Sequence, residues 1–354
     1  MVYLLKRRRM DVWTPENSGS DHKNTRNSGI FMFGMDRSGT TLLSMIVGAH
    51  PDIAVPLSAT GLWYRLDQQQ EAYSLLSTDD DLSELIGDVL ASDRIQRWDA
   101  DLSVEDVLPL CRRRNYASVV AAFHRAYAQS KGKPLWANID IATLEQLHRA
   151  NEWFPQARFV HIYRDARDVA LSNQSMPYGR GNLAECADLW SRRLTTNFRM
   201  GRIVGPNRYM SIAYEDLVNQ PKKTLVGLCS FLGVPFSESM LQFAADAEAK
   251  VPEDTRWLWP NLAGPLDRSA TYRWKDHMST NKRIVVEHYA GSLLKELGYE
   301  TYDRIPRRLS AELLDLAYFL GRGGRMKRLL KAVGVTRPSK LERDWLRRER
   351  GPAR

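Results

Sequence analysis

Apolar and polar positions fall in blocks along the chain. Residues 29–35 (GIFMFGM) form a short continuous apolar run, as a strand buried on both faces requires. After a glycine-rich stretch, "TTLLSMIVGAH" (40–50) takes up helical spacing, and His50-Pro51 stops it because the residue before proline is disfavoured in the helical region. "DIAVPL" (52–57), "PLWANI" (134–139), "ARFVHIY" (157–163) and "RYMSIAYEDL" (208–217) read as further strands. "ATLEQLHRANEWF" (142–154), "DARDVALSNQS" (165–175) and "PKKTLVGLCSFLGV" (221–234) read as helices, the last opened by Pro221. Between 62 and 131 the pattern is helical and charged. Strands alternating with helices predict an α/β fold, a doubly wound parallel sheet flanked by helices. One domain is expected over 29–303, with a helical insertion at 58–133. Residues 1–28, polar and rich in Gly, Ser and Asn, read as a flexible leader, and 304–354 as a helical extension around "GRGG".

Composition narrows the setting. The three cysteines, Cys111, Cys186 and Cys229, are far apart and odd in number, which favours a reducing, cytoplasmic compartment. The seven histidines lack metal-ligand spacing, so no metal is expected. No apolar run reaches the roughly 18 residues that a membrane span needs. At the N-terminus the basic residues follow a very short apolar stretch, the reverse of a secretion signal. The formal net charge is +9. The segment from Arg304 onward carries about +10 of its own, so the body is close to neutral. That distribution disfavours a nucleic-acid-binding protein. The tail's apolar stretches "SAELLDLAYFL" and "MKRLLKAV", set among Arg and Lys, suggest peripheral contact with an acidic membrane. A solvated basic appendage explains them equally.

The candidate chemistry begins at "FGMDRSGTTLL" (33–43). Its Gly34 and Gly39 keep the spacing of a phosphate-binding loop, and Thr41 stands at the Ser/Thr position, but Thr40 replaces the lysine. A strand, glycine loop and helix make an anion cradle from backbone N–H groups and the helix dipole, the arrangement of a P-loop-type sheet. Arg37 offers a planar cation suited to one tetrahedral oxyanion. Without the lysine, the loop fits a ligand with less distal charge than ATP, which disfavours a P-loop metabolite kinase. A second signal is "HIYRDARDVALS". Arg164 ends a predicted strand, where ligands of parallel sheets bind, and Ser172 lies eight residues on. Arg167 and Asp168 read as a local ion pair at the start of a helix. Together the two motifs imply one ligand with two separated phosphate groups.

This pairing resembles sulfotransferases that use 3′-phosphoadenosine 5′-phosphosulfate (PAPS), especially a bacterial branch with "RSGTTLL…AHPDIAVP". The resemblance covers about residues 29 to 300. It implies that Arg37, Ser38, Gly39, Thr40 and Thr41 hold the 5′-phosphosulfate end, and that Arg164 and Ser172 hold the 3′-phosphate. "YEDL" (214–217) and "FLGVPF" (231–236) match family segments of structural character. "RWKDHMS" (273–279) resembles a segment that folds over the donor, and Arg268 in the preceding "DRS" is the cation carried over there. The implied reaction is in-line sulfuryl transfer to a hydroxyl or amine of a small-molecule, glycan or lipid acceptor, with a phenol or peptide tyrosine also open.

Two departures bear on catalysis. Relatives usually place a glutamate base where this chain has Ser58, and a lysine where it has Ile139. Sulfuryl transfer needs a base for the acceptor's proton. Asp140, which ends a predicted strand, is the candidate; as a helix N-cap it would be structural instead. His50 is a weaker candidate, more often a capping residue before proline, and His161 reads as core. Two readings therefore stand: an enzyme that uses Asp140, or a homologue that binds PAPS or its product without turnover. The aromatic stretch 256–262 could stack on an acceptor or pack in the core.

Overall fold

Five strands, all parallel, lie in the order β2-β3-β1-β4-β5. They are β1 (Ile30–Gly34), β2 (Ile53–Ala54), β3 (Leu135–Asn138), β4 (Arg158–Tyr163) and β5 (Tyr209–Ala213). The helices are α1 (Thr40–Gly48), α2 (Asp79–Leu90), α3 (Val104–Val107), α4 (Tyr116–Ser130), α5 (Leu144–Trp153), α6 (Ala166–Gln174), α7 (Leu183–Val204), α8 (Tyr214–Asn219), α9 (Pro221–Leu232), α10 (Trp274–His277) and α11 (Thr280–Glu296). The computed structural model describes residues 29–56, 76–139, 144–176, 182–246, 264 and 266–301. The leader, Ser58, Asp140, the aromatic stretch 256–262 and the basic tail lie outside them. Packing divides the chain into two units. One holds the residues up to Tyr163 together with Thr196–Arg268; the other holds Arg164–Thr195 and the residues from Ser269 onward.

The sheet belongs to the first unit. β1 pairs with β3 on one side and β4 on the other, with Gly34 opposite Ile162. Its residues 30–33 are all buried, which accounts for the unbroken apolar run. Phe31 stacks on Phe159 at 5.5 Å and meets Trp136 edge-on at 5.8 Å, at the centre of the aromatic core. The described residues between 76 and 133 are mostly helical. α2 and α3 each open with a capping box, Thr78 with Asp81 and Ser103 with Asp106. The expected strand 208–217 is shorter. It ends at Ala213, and "YEDL" opens α8 instead, with Glu215 and Asp216 in the first turn where the helix dipole favours acids.

In the second unit Trp190 of α7 is fully buried and donates its ring N–H to the Arg164 carbonyl at 2.9 Å. Ser191 donates to the carbonyl of Tyr289 in α11 at 2.8 Å, tying those two helices together.

His161 sits in the middle of β4, fully buried, stacked on Phe33 at 5.2 Å and edge-on to Phe198 at 5.4 Å. The Asn197 amide nitrogen donates to its Nε2 at 3.2 Å, so the neutral ring carries its proton on Nδ1. Burial lowers its pKa to about 3. An unfolded histidine takes a proton near pH 6.5, so between that pH and about 3 the unfolded state binds more protons and stability falls as pH falls. From pH 6.5 to pH 4, wild type is expected to lose about 3 kcal/mol more than His161→Phe. Urea denaturation across that range checks it; parallel pH profiles would contradict it.

Candidate functional site

The glycine loop of the first unit is built around two left-handed residues. Arg37 has φ 70° and Gly39, the N-cap of α1, has φ 98°. A non-glycine residue in that region is strained and tends to mark function. The Ser38 amide donates to the Met35 carbonyl at 3.0 Å and closes the turn. Gly34 is required by space, and Gly39 by space as well as by φ. A Cβ at Gly34 would meet the Ile162 carbonyl oxygen at 2.4 Å, and one at Gly39 would meet the Tyr214 ring at 2.5 Å. Tyr214 is the reason "YEDL" accompanies the loop: the first residue of α8 packs directly beneath Gly39. The sequence marks that motif as structural but does not connect it with the glycine.

α1 begins without a side-chain cap and without an acid in its first turn. Its first intrahelical bond runs from the Leu43 amide to the Gly39 carbonyl at 3.0 Å, so the amides before Leu43 have no partner within the helix. Thr40 and Thr41, both half-buried, stand at this end. The Ser38 hydroxyl is buried and makes no hydrogen bond among the described residues. A buried orphan hydroxyl beside an uncapped helix end and an arginine fits an oxyanion such as a phosphosulfate.

Behind the loop, α1 is anchored at its far end. The Asp52 amide donates to His50 Nδ1 at 3.0 Å, and His50 Nε2 donates to the Pro235 carbonyl at 2.8 Å. Both ring nitrogens are engaged and the ring is fully buried, so His50 is a structural clasp rather than a base. Ser239 adds a bond to the Ala49 carbonyl at 2.7 Å. Lys133 donates to the carbonyls of Gly48, His50 and Ile53 at 2.7, 2.8 and 3.1 Å. "AHPDI" and "FLGVPF" are thus two halves of one joint.

The second motif opens α6 in the other unit. Arg164 is buried and donates from Nη2 to the Ala270 carbonyl at 2.6 Å. Ser172 lies farther along α6, half-buried. Arg268 begins the 3-10 turn Arg268–Ala270 and is exposed. The ion pairing differs from expectation. Arg167 does not pair with Asp168. It grips Asp165 in a bidentate contact at 2.9 and 2.7 Å and reaches Glu287 at 2.7 Å. Its guanidinium lies over the Trp274 ring at 3.7 Å, and that of Arg283 lies over the same ring at 4.4 Å. Asp168 instead faces Arg164, 3.8 Å away, and accepts the Trp274 amide at 2.9 Å. Spacing and capping explain the exchange: Asp168 lies four residues from Arg164 and adjacent to Arg167, whose side chain points away from it, while Asp165 is the N-cap and turns back to meet the Arg167 amide and guanidinium. Burial pulls the pKa of Arg167 down, but the carboxylates of Asp165 and Glu287 more than offset it and leave it raised. Burial likewise raises Asp168, against the pull of Arg164.

Removing the Arg167 cation takes the bidentate guanidinium from buried Asp165 and leaves Glu287 with Arg283 alone of the two arginines that grip it. Arg167→Leu is expected to cost about 3–5 kcal/mol. The exposed Lys222–Glu238 pair is a control, and Lys222→Ala should cost less than about 1 kcal/mol. Equal losses in urea denaturation would overturn the ranking.

Comparison with known proteins supplies the family. The family model described as "Sulfotransferase family" matches residues 29–238, more than half of the chain. The chain is 23% identical over 330 residues to protein-tyrosine sulfotransferase 2 of Gallus gallus, covering 86% of this chain and 80% of that one. It is 26% identical over 289 residues to the protein-tyrosine sulfotransferase of Drosophila melanogaster, covering 78% of this chain and 52% of that protein. In fold it is similar to the sulfotransferase domain from the Synechococcus PCC 7002 olefin synthase, with TM-score 0.54, 22% identity, and coverage of 78% of this chain and 95% of that one. The sulfotransferase domain from the curacin biosynthetic pathway gives TM-score 0.53 at 20% identity, covering 77% and 99%. With its glycine loop, its parallel sheet and a family match reaching from β1 to beyond α9, the chain belongs to the sulfotransferase family.

Proposed function

We propose that the chain transfers a sulfuryl group from PAPS to a hydroxyl acceptor, with Arg37, Ser38, Gly39, Thr40 and Thr41 holding the phosphosulfate end and Arg164, Ser172 and Arg268 serving the 3′-phosphate. The observation that carries this reading is the loop itself: two left-handed residues set an arginine beside an uncapped helix end and a buried, unbonded serine hydroxyl. PAPS supplies an activated sulfuryl group. A sulfuryl group carries less charge than a terminal phosphoryl group, so an arginine and backbone amides suffice where a kinase uses lysine and magnesium. Adenosine 3′,5′-bisphosphate is therefore expected to bind equally well with and without magnesium. Adenosine 5′-monophosphate, lacking the charge-assisted contacts at Arg164 and Ser172, should bind about 2–4 kcal/mol more weakly. Calorimetry showing equal affinity for the two nucleotides would refute this assignment.

Asp140 is the proposed base, taking the proton from the acceptor hydroxyl as its oxygen attacks. Like charge from a bound phosphosulfate would raise its pKa toward the working range. Ser58 stands where relatives use a carboxylate and cannot take that role unaided at neutral pH. The Gallus and Drosophila relatives are protein-tyrosine sulfotransferases, which makes a tyrosyl hydroxyl the first acceptor to test, ahead of glycans and lipid headgroups. Asp140→Asn should leave bisphosphate affinity nearly unchanged and lower turnover by about 10²-fold or more. Unchanged turnover would remove Asp140 from catalysis. Tight bisphosphate binding by a wild type that sulfates no acceptor in the panel would favour the second reading, which Ser58 and Ile139 support: a binding homologue without turnover.

A further inference from the structure

The start of α6 carries two buried arginines built in opposite ways. Arg167 is locked: its carboxylate contacts all lie between 2.7 and 2.9 Å, its side chain is fully buried, and Trp274 covers its face. Arg164 stands 3.8 Å from Asp168, beyond hydrogen-bonding distance for an arginine and a carboxylate. Asp168 is itself held by the segment after the 3-10 turn. The amides of Tyr272 and Trp274 both donate to it. Tyr272 takes φ 56°, a strained value for an aromatic residue, as the backbone bends to aim these amides at one carboxylate. The buried cluster holds three guanidiniums, of Arg164, Arg167 and Arg283, and three carboxylates, of Asp165, Asp168 and Glu287. Its formal charge is zero, and an arriving phosphate unbalances it.

We propose that Asp168 is an exchangeable counter-ion: it balances Arg164 while no ligand is bound, and cedes that role to the ligand's 3′-phosphate while keeping its hold on the Tyr272 and Trp274 amides. This rests on the assignment of Arg164 to the 3′-phosphate. Asp168 is then a positioning residue, keeping Arg164 and the 270–274 segment in place for a ligand it partly opposes. Burial also raises its pKa, and a second anion beside it disfavours its charge further.

The test uses the full chain, Asp168→Asn, and two probes, adenosine 3′,5′-bisphosphate and adenosine 5′-monophosphate. Asparagine keeps the oxygen that accepts the Trp274 amide and removes the charge. The unliganded variant should melt about 5 °C or more below wild type, because Arg164 loses its counter-ion. Its preference for the bisphosphate over the monophosphate should rise by about tenfold, since the competing carboxylate is gone. A purely structural role lowers the melting temperature but leaves that preference unchanged, and either an unchanged or a reduced preference overturns the proposal. A wild type that does not distinguish the two nucleotides instead refutes the assignment of Arg164. Infrared difference spectra of wild type give a second reading that is independent of whether the variant folds. A buried carboxylate band should shift with the bisphosphate and stay fixed with the monophosphate; no difference between the two probes overturns the exchange.

Discussion

No side chain fits at position 39. The Tyr214 ring lies 2.5 Å from where a Cβ would sit, and the backbone there is left-handed. That constraint shapes much of the first unit. Glycine turns the chain out of β1 and starts α1 with its amides uncapped, and Tyr214 must open α8 at the end of β5 to fill the space beneath. Gly34 obeys the same rule against the Ile162 carbonyl. The cradle is thus shaped by what is missing from two residues. Its anion affinity comes from backbone dipoles that need no reorganisation when a ligand arrives.

The second unit solves a different problem, that of keeping charges dry. Six ionised side chains share one interior, and desolvation is offset because each has an opposite partner and two of the guanidiniums have aromatic cover. The tight Arg167 half makes the cluster a fixed support. The Arg164 half is looser, with Asp168 3.8 Å from the guanidinium.

Much of this is legible from sequence where a single physical rule dominates. β1 stands out because a strand buried on both faces is an uninterrupted apolar run, and β3 and β4 because their buried positions are mostly apolar, β-branched or aromatic. The glycine loop stands out because few residue types tolerate its backbone. The end of β5 is misread because Tyr214 and its neighbours suit a strand locally, while the two acids after it favour a helix start. The partner of Asp168 is misread because adjacency in sequence hides the helical face it shares with Arg164. Its other tie, the Trp274 amide, lies 106 residues away and leaves no local trace. His50 is correctly weighted toward structure, yet its link to Pro235 across 185 residues is invisible for the same reason.

That link has a mechanical consequence. His50, Ser239 and the Lys133 ammonium clamp the turn between α1 and β2 from three separate parts of the chain. The chain therefore enters β2 from a fixed post, and α1 is braced at the end opposite the glycine loop. A joint of six hydrogen bonds through three side chains makes the far end of α1 an abutment against which the loop at its near end is held.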